Sequence, residues 1–211
     1  MVAAGDTWKY LDDGSDQGTA WSGINFNDTA WKSGSAQLGY GDGDEATVVS
    51  YGSDASRRYM TTYFRKAFTI DNPAAYSALA MQLIRDDGAV IYLNGVEILR
   101  SNMPDGAINY QTNASTDVTG TNETKWYKAT INSALLRQGT NVLTVEIHQK
   151  SRSSSDVSFD LELKGTVVAG TMGTTALFSQ NRISGTAATS DDKDKSESTV
   201  QSIEAMIASK K

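Results

Sequence analysis

The stretch VSFDLELKG, residues 157–165, alternates Val157, Phe159 and Leu161 with Ser158, Asp160 and Glu162. A period of two sends successive side chains to opposite faces of an extended chain, so one face is built to be buried and the other is not. The same period recurs along most of the chain. In ALAMQLIR, Leu79, Met81 and Leu83 share a face, and TTYFRKAFTI, AVIYLN, VEILR, KWYKATI and NVLTVEIHQ follow the pattern with many β-branched and aromatic residues. Glycine and Asx clusters separate these runs: LDDGSD, GYGDGDE, DDG, LNGV, MPDG and RQGTN. Many short strands broken by such turns predict an all-β, antiparallel β-sandwich or jelly roll rather than a parallel sheet. Within this span only INSALLRQG has a helical look, for one or two turns.

With 211 residues the chain can bury one sizeable core and is short for two ordinary domains. A net charge of -6 sets a field that repels phosphate backbones, and no basic cluster offsets it, so no nucleic-acid partner is expected. The chain has no cysteine, which removes disulfides, thiol catalysis and thiolate-held metals. No run is long enough for membrane insertion. The opening MVAAGDTWKY lacks the basic and apolar segments of a secretory leader, so either a leader has been removed or the protein is made and assembled in a cytoplasm.

Composition changes after Gly165. TVVAGTMGTTALFSQNRISGTAATS has few large side chains and reads as a linker or an arm lying against a partner. Beyond it, Ser198 and Gln201 can form a capping box, and Val200, Ile203, Met206 and Ile207 fall on one stripe of a short helix. So short a helix is marginal alone. The expected organisation is a sandwich over 1–168, an extended arm over 169–190, and a docking or oligomerisation helix over 191–211. The apolar stripe needs a surface to pack on, either the chain's own sandwich or another subunit, and a homo-oligomer or attachment to another protein is expected.

The ordered series TWKYLDDGSDQGTAW, FNDTAWKSGSAQLGYGDGDEATVVSYG, LIRDDGAVIYLNGVEILRSNMP and NVLTVEIHQ…SSSDVSFDLEL resembles the galactose-binding-like jelly-roll modules of large secreted bacterial proteins and of bacteriophage structural proteins. The resemblance covers roughly residues 5 to 165. It implies a non-catalytic role, and it leaves the ligand open because the fold hosts glycan binders, linkers and structural parts. Without a leader, and with its own tail, the chain is expected to be a structural or attachment component of a phage virion, such as a capsid decoration or tail-fibre protein assembled in the host cytoplasm. Its partners would be other virion or surface proteins met through the arm and helix. The alternative is a secreted carbohydrate-binding module, calcium-dependent in one version.

Candidate sites follow. Asp86 and Asp87, ahead of Gly88, read as a turn between two strands, with local amides on the Asx side chains and a positive φ at the glycine. In PA14-type adhesins, to which DDGAVIYLNG has a short local likeness, paired aspartates ligate calcium beside a sugar. Asn94 with Gly95 forms the next turn. Asp42, Asp44 and Glu45 could hold a structural calcium, though solvated turns explain them too, as they do Asp12, Asp13 and Asp16. Trp8, Trp21 and Trp31 are expected to be buried, leaving Tyr40, Tyr51 and Arg58 as loop candidates for glycan contact, while Arg65, Arg85 and Arg100 pair with acids. His148, the only histidine, should lie with Glu146 on the face opposite Leu143, Val145 and Ile147 as a hydrogen-bonded strand residue. No cofactor is required, and no nucleophile, base and oxyanion donor fall together in the pattern, so no enzyme is expected.

Overall fold

The structure is a computed structural model that describes residues 1–168. The expected arm at 169–190 and helix at 191–211, with Val200, Ile203, Met206 and Ile207, lie outside the described residues. The strands are β1 (Thr7–Leu11), β2 (Lys32–Ser35), β3 (Leu38–Tyr40), β4 (Thr47–Val48), β5 (Thr61–Ile70), β6 (Tyr76–Asp86), β7 (Gly88–Leu93), β8 (Val96–Ser101), β9 (Tyr127–Ile131), β10 (Gly139–His148) and β11 (Val157–Val167). The helical reading of INSALLRQG reduces to one 3-10 turn, Ser133–Leu135, capped by the Asn132 side chain, which accepts from the Ala134 amide at 2.9 Å.

The strands form two sheets, ordered β2-β1-β5-β10-β7-β8 and β4-β3-β11-β6-β9. All neighbours pair antiparallel except β3 and β4, which run parallel with Leu38 opposite Thr47. The expected all-β sandwich is what the chain forms. Its centre is where the two inner faces meet: Phe64 of β5 stacks on Phe159 of β11 at 4.2 Å, and Trp8 of β1 meets Phe159 edge-on at 5.0 Å. Leu143, Val145 and Ile147 of β10 and Leu79, Met81 and Leu83 of β6 complete that core, all within 1% of full burial. Their alternation is the one visible in the sequence.

Two features depart from it. First, β6 belongs to the five-stranded sheet and β7 to the six-stranded one, so Asp87 is the single residue at a crossing between sheets rather than the tip of a hairpin. Gly88 is needed there for space: a Cβ would meet Met103 Sδ at 2.5 Å and Ala114 Cβ at 2.9 Å. Second, part of the outer face of the six-stranded sheet is also buried, although its strands read as half-polar and Ala67 and Thr69 on the same face of β5 are exposed. Tyr63, Arg65, Thr144, Glu146 and His148 are each no more than 5% exposed. The loops at 17–31 and 104–118 cover them.

Arg65 holds the first of these loops. Its guanidinium donates to the carbonyls of Trp21 and Gly23, pairs with Asp28 at 2.9 Å and lies over the Phe26 ring. The second is tied down by the Thr61 hydroxyl, which donates to the Tyr110 carbonyl at 2.8 Å, and by His148 Nδ1, which donates to the Thr112 carbonyl at 2.8 Å. A carbonyl can only accept, so this contact places a proton on Nδ1. No helix among the described residues is long and apolar enough to cross a membrane.

Candidate functional site

The two covering loops leave a recess of about 410 Å³ between them, lined by Trp21, Tyr63, Tyr92, Tyr110, Glu97 and Glu146. Strand register builds its floor. Tyr63 on β5 lies directly opposite Glu146 on β10, and Tyr92 stands one strand further on β7. Trp21 meets Tyr63 edge-on at 4.7 Å and Tyr92 edge-on at 5.7 Å, so three rings lock one another. The Tyr92 hydroxyl donates to Glu146 Oε1 at 2.7 Å, and Glu146 Oε2 lies 3.2 Å from His148 Nε2. Burial, with the Glu146 charge adding, pushes both the Tyr63 and Tyr92 phenols up, so they remain hydrogen-bond donors throughout the physiological range. Glu97 at the rim is bound by Arg100 at 2.5 and 3.0 Å. Aromatic walls with fixed polar groups are therefore combined here with two carboxylates that already have partners.

A second recess lies at the end of the sandwich where the chain crosses sheets. Asp87 organises it. One carboxylate oxygen accepts from the Val118 amide at 2.7 Å, and the other from the Lys150 amide at 2.7 Å and the Ser154 hydroxyl at 3.2 Å. These partners are remote in sequence, so the Asp87 side chain ties two loops, β8–β9 and β10–β11, to the sheet crossing instead of closing a local Asx turn, and Gly88 does not take a positive φ. Asp86 differs completely. It is 1% exposed, no N–H or O–H donor reaches either of its oxygens, and its carboxyl lies beside that of Asp87, to which it can hydrogen-bond only when protonated. Burial pushes its carboxyl up to about 9, helped by the neighbouring Asp87 and by the charges of Asp156 and Glu123.

The structure brings Tyr40, Tyr51 and Arg58 together near that same end, but as a packed unit. Tyr40 and Tyr51 meet at 5.1 Å, and the Arg58 guanidinium lies 5.5 Å and 5.0 Å from the two ring centres while donating to the Ser154 carbonyl. Tyr40 is buried, its hydroxyl accepts from Gln149 Nε2 at 2.7 Å, and burial pushes its phenol up to about 12. Asn94 sits far away at the other end of β7 in the two-residue turn, with φ values of 56° at Asn94 and 84° at Gly95. Its amide serves Val142, Leu135 and Asn141.

Of the acidic trio, Glu45 caps its own turn by accepting from the Asp42 and Gly43 amides, and Asp44 accepts from Gln37 Nε2 at 2.8 Å. Oxygens of Asp42, Asp44 and Glu45 can come within 4.8 Å of one another, as can those of Asp42, Glu123 and Asp156. Arg65 and Arg100 pair with acids as expected, whereas Arg85 donates to the Ser101 hydroxyl and the Asp87 carbonyl and covers the Tyr127 ring. Trp8, Trp21 and Trp31 are buried, and His148 and Glu146 lie opposite the core as expected. Sequence reasoning missed the ring-lined recess. Its available signal was that Tyr63 and Tyr92 fall out of phase with the core positions Phe64, Ile91 and Leu93.

Fold and recesses define a two-sheet β-sandwich domain with one aromatic and one acidic cavity built from loops. No protein-family model and no curated protein matches the chain. Similar solved structures include a β-glucuronidase from glycoside hydrolase family 2, at 17% identity over 68% of this chain and 13% of that one, with a TM-score of 0.42. A Bacteroides uniformis β-glucuronidase shares 18% identity over 75% of this chain and 17% of that one, with a TM-score of 0.48. A β-glycosidase from Bacteroides vulgatus shares 15% over 76% and 20%, with a TM-score of 0.43. The chain thus spans between 13% and 20% of those enzymes' length.

Proposed function

We propose that the chain is a non-catalytic carbohydrate-binding module that takes a neutral saccharide in the recess between Trp21, Tyr63, Tyr92 and Tyr110. The carrying observation is the chemistry of that cavity. Ring faces suit the C–H face of a pyranose, and hydroxyls need fixed donors and acceptors at the rim, which Glu97, Asn109 and the tyrosine hydroxyls supply. A cationic ligand fits less well, because Glu97 is bound by Arg100, and Glu146 is engaged by the Tyr92 hydroxyl beside His148. A volume of about 410 Å³ suits one or two sugar rings. The virion reading drew on the tail, which lies outside the described residues, and no described feature favours it over glycan binding.

The test is a glycan array on the intact chain, followed by calorimetry with the strongest neutral hit. Glu97→Gln alters the exposed rim and Tyr110→Ala the half-buried wall that packs on the cluster of Trp21, Trp31 and Tyr63. Each is expected to weaken binding by about tenfold or more, the scale of one lost contact of about 1.4 kcal/mol, with an unchanged melting temperature for Glu97→Gln showing that the loss is one of binding. An array silent across neutral glycans, or a hit whose affinity neither substitution changes, overturns the reading.

A further inference from the structure

We infer that the acidic recess is a binding site for a hard divalent cation, calcium by preference, held by Asp42, Glu123 and Asp156 with Asp86 beneath them. The three outer carboxylates come from three separate segments, yet their oxygens reach within 4.8 Å of one another. Specific packing holds them there. Gly41 lies so close to Asp156 that a Cβ would sit 2.8 Å from its Cα, which seats the 41–45 loop on the start of β11. Asp42 accepts from the Ser158 hydroxyl at 3.0 Å, and Glu123 is oriented by the Gly120 amide at 2.9 Å.

The independent sign of a ligand is Asp86. Ser158 on β11 is its direct partner across the strand pair, so the two side chains leave the sheet on the same face, and it is Ser158 that holds Asp42. Asp86, 1% exposed and reached by no N–H or O–H donor, therefore lies under the face that carries Asp42, beside the Asp87 carboxyl and within the field of Asp156 and Glu123. Leaving a buried carboxyl unsatisfied is costly, and such groups are ordinarily paired or bound to a metal. The nearby cations are committed elsewhere: Arg85 to Ser101 and the Asp87 carbonyl, Arg58 to the Tyr40 and Tyr51 rings, and the Lys150 ammonium to the Ser115 carbonyl. Among the described residues, no ion pair includes Asp42, Glu123, Asp156 or Asp86.

All-oxygen, multi-carboxylate donors favour calcium, which accepts six to eight oxygens at irregular angles, over magnesium, which demands a small octahedron. This set differs from the doublet reading, because Asp87 is consumed by three loop donors. It differs from the Asp42, Asp44 and Glu45 reading as well, because Glu45 is consumed by its own turn.

The experiment uses the intact chain, with thermal melting and calorimetry in calcium, magnesium or EDTA. Calcium at about 100 times its Kd is expected to raise Tm by about 5 °C or more over EDTA, and magnesium by less. Glu123→Gln, which keeps the acceptor for Gly120, and Asp156→Asn should each abolish the calcium shift, while Asp44→Asn leaves it intact. Asp86→Asn should weaken calcium binding by about 10–100-fold although it stabilises the chain in EDTA, a pairing that a purely structural aspartate does not give. Identical melting in calcium and EDTA overturns the inference. So does a calcium response that Asp44→Asn removes and Glu123→Gln spares, or a calcium affinity that Asp86→Asn leaves unchanged.

Discussion

Adjacent aspartates with opposite environments should give opposite results when each is changed to asparagine in the presence of EDTA. At Asp87 the carboxylate satisfies two backbone amides and a hydroxyl. Asparagine keeps one acceptor oxygen and turns an NH₂ toward the other donors. One charge-assisted bond, about 1.5–3 kcal/mol, is lost, and a buried amide is left facing a donor, about 1–3 kcal/mol more. Asp87→Asn should therefore lose about 3–5 kcal/mol and melt about 10 °C lower.

At Asp86 the sign reverses. Its folded carboxyl titrates at about 9, and an unfolded one titrates at about 3.9. Between those values the folded chain holds a proton that the unfolded chain releases. The stability contribution is thus complete below about pH 4 and falls as pH rises toward the folded value, by up to about 1.4 kcal/mol per pH unit. Asparagine has no such proton. Asp86→Asn should match the parent near pH 4 and exceed it at pH 7 by up to about 4 kcal/mol. Asp42 and Asp160, also raised by burial, are present in both proteins, so the difference isolates Asp86. Urea unfolding followed by tryptophan fluorescence across this range is the assay. Parallel pH–stability curves for Asp86→Asn and the parent, or an Asp87→Asn protein as stable as the parent, would refute the reasoning.

Arg65→Ala should cost about 3–5 kcal/mol, because it leaves Asp28 and two carbonyls without their donor, and it should open the 17–31 loop to protease; resistance to limited proteolysis equal to the parent's counts against that role. Phe159→Ala removes the ring that stacks on Phe64 and meets Trp8, and urea unfolding should show a loss of about 3–5 kcal/mol. Gly39→Ala would drive a Cβ to 1.8 Å from the Val157 carbonyl oxygen, so the β3–β11 pairing must shift; a melting temperature within about 2 °C of the parent's would show that the backbone gives way easily.

The sandwich was legible because period two is set by the pleat itself: Leu79, Met81 and Leu83, or Val157, Phe159 and Leu161, can share a face in no other regular structure. What each strand end connects to was not legible. A glycine after Asp86 and Asp87 is equally needed for a hairpin or for a crossing where Met103 and Ala114 crowd the backbone, and only the sheet order separates the two. The buried part of the outer face was hidden for a related reason. Thr144, Glu146 and His148 look solvent-facing from their alternation, and the loops that cover them are brought there by contacts such as Arg65 to Trp21, which join residues 44 positions apart. Tyr40, Tyr51 and Arg58 did converge, but as an aromatic–guanidinium stack rather than an open platform.

The most direct measurement is a crystal structure of the intact chain grown with the strongest neutral glycan from the array. The account predicts a sugar ring against Tyr92 and Tyr110, with hydroxyls on Glu97 or Asn109. Glycan density at any other surface, with that recess holding only water, would contradict it.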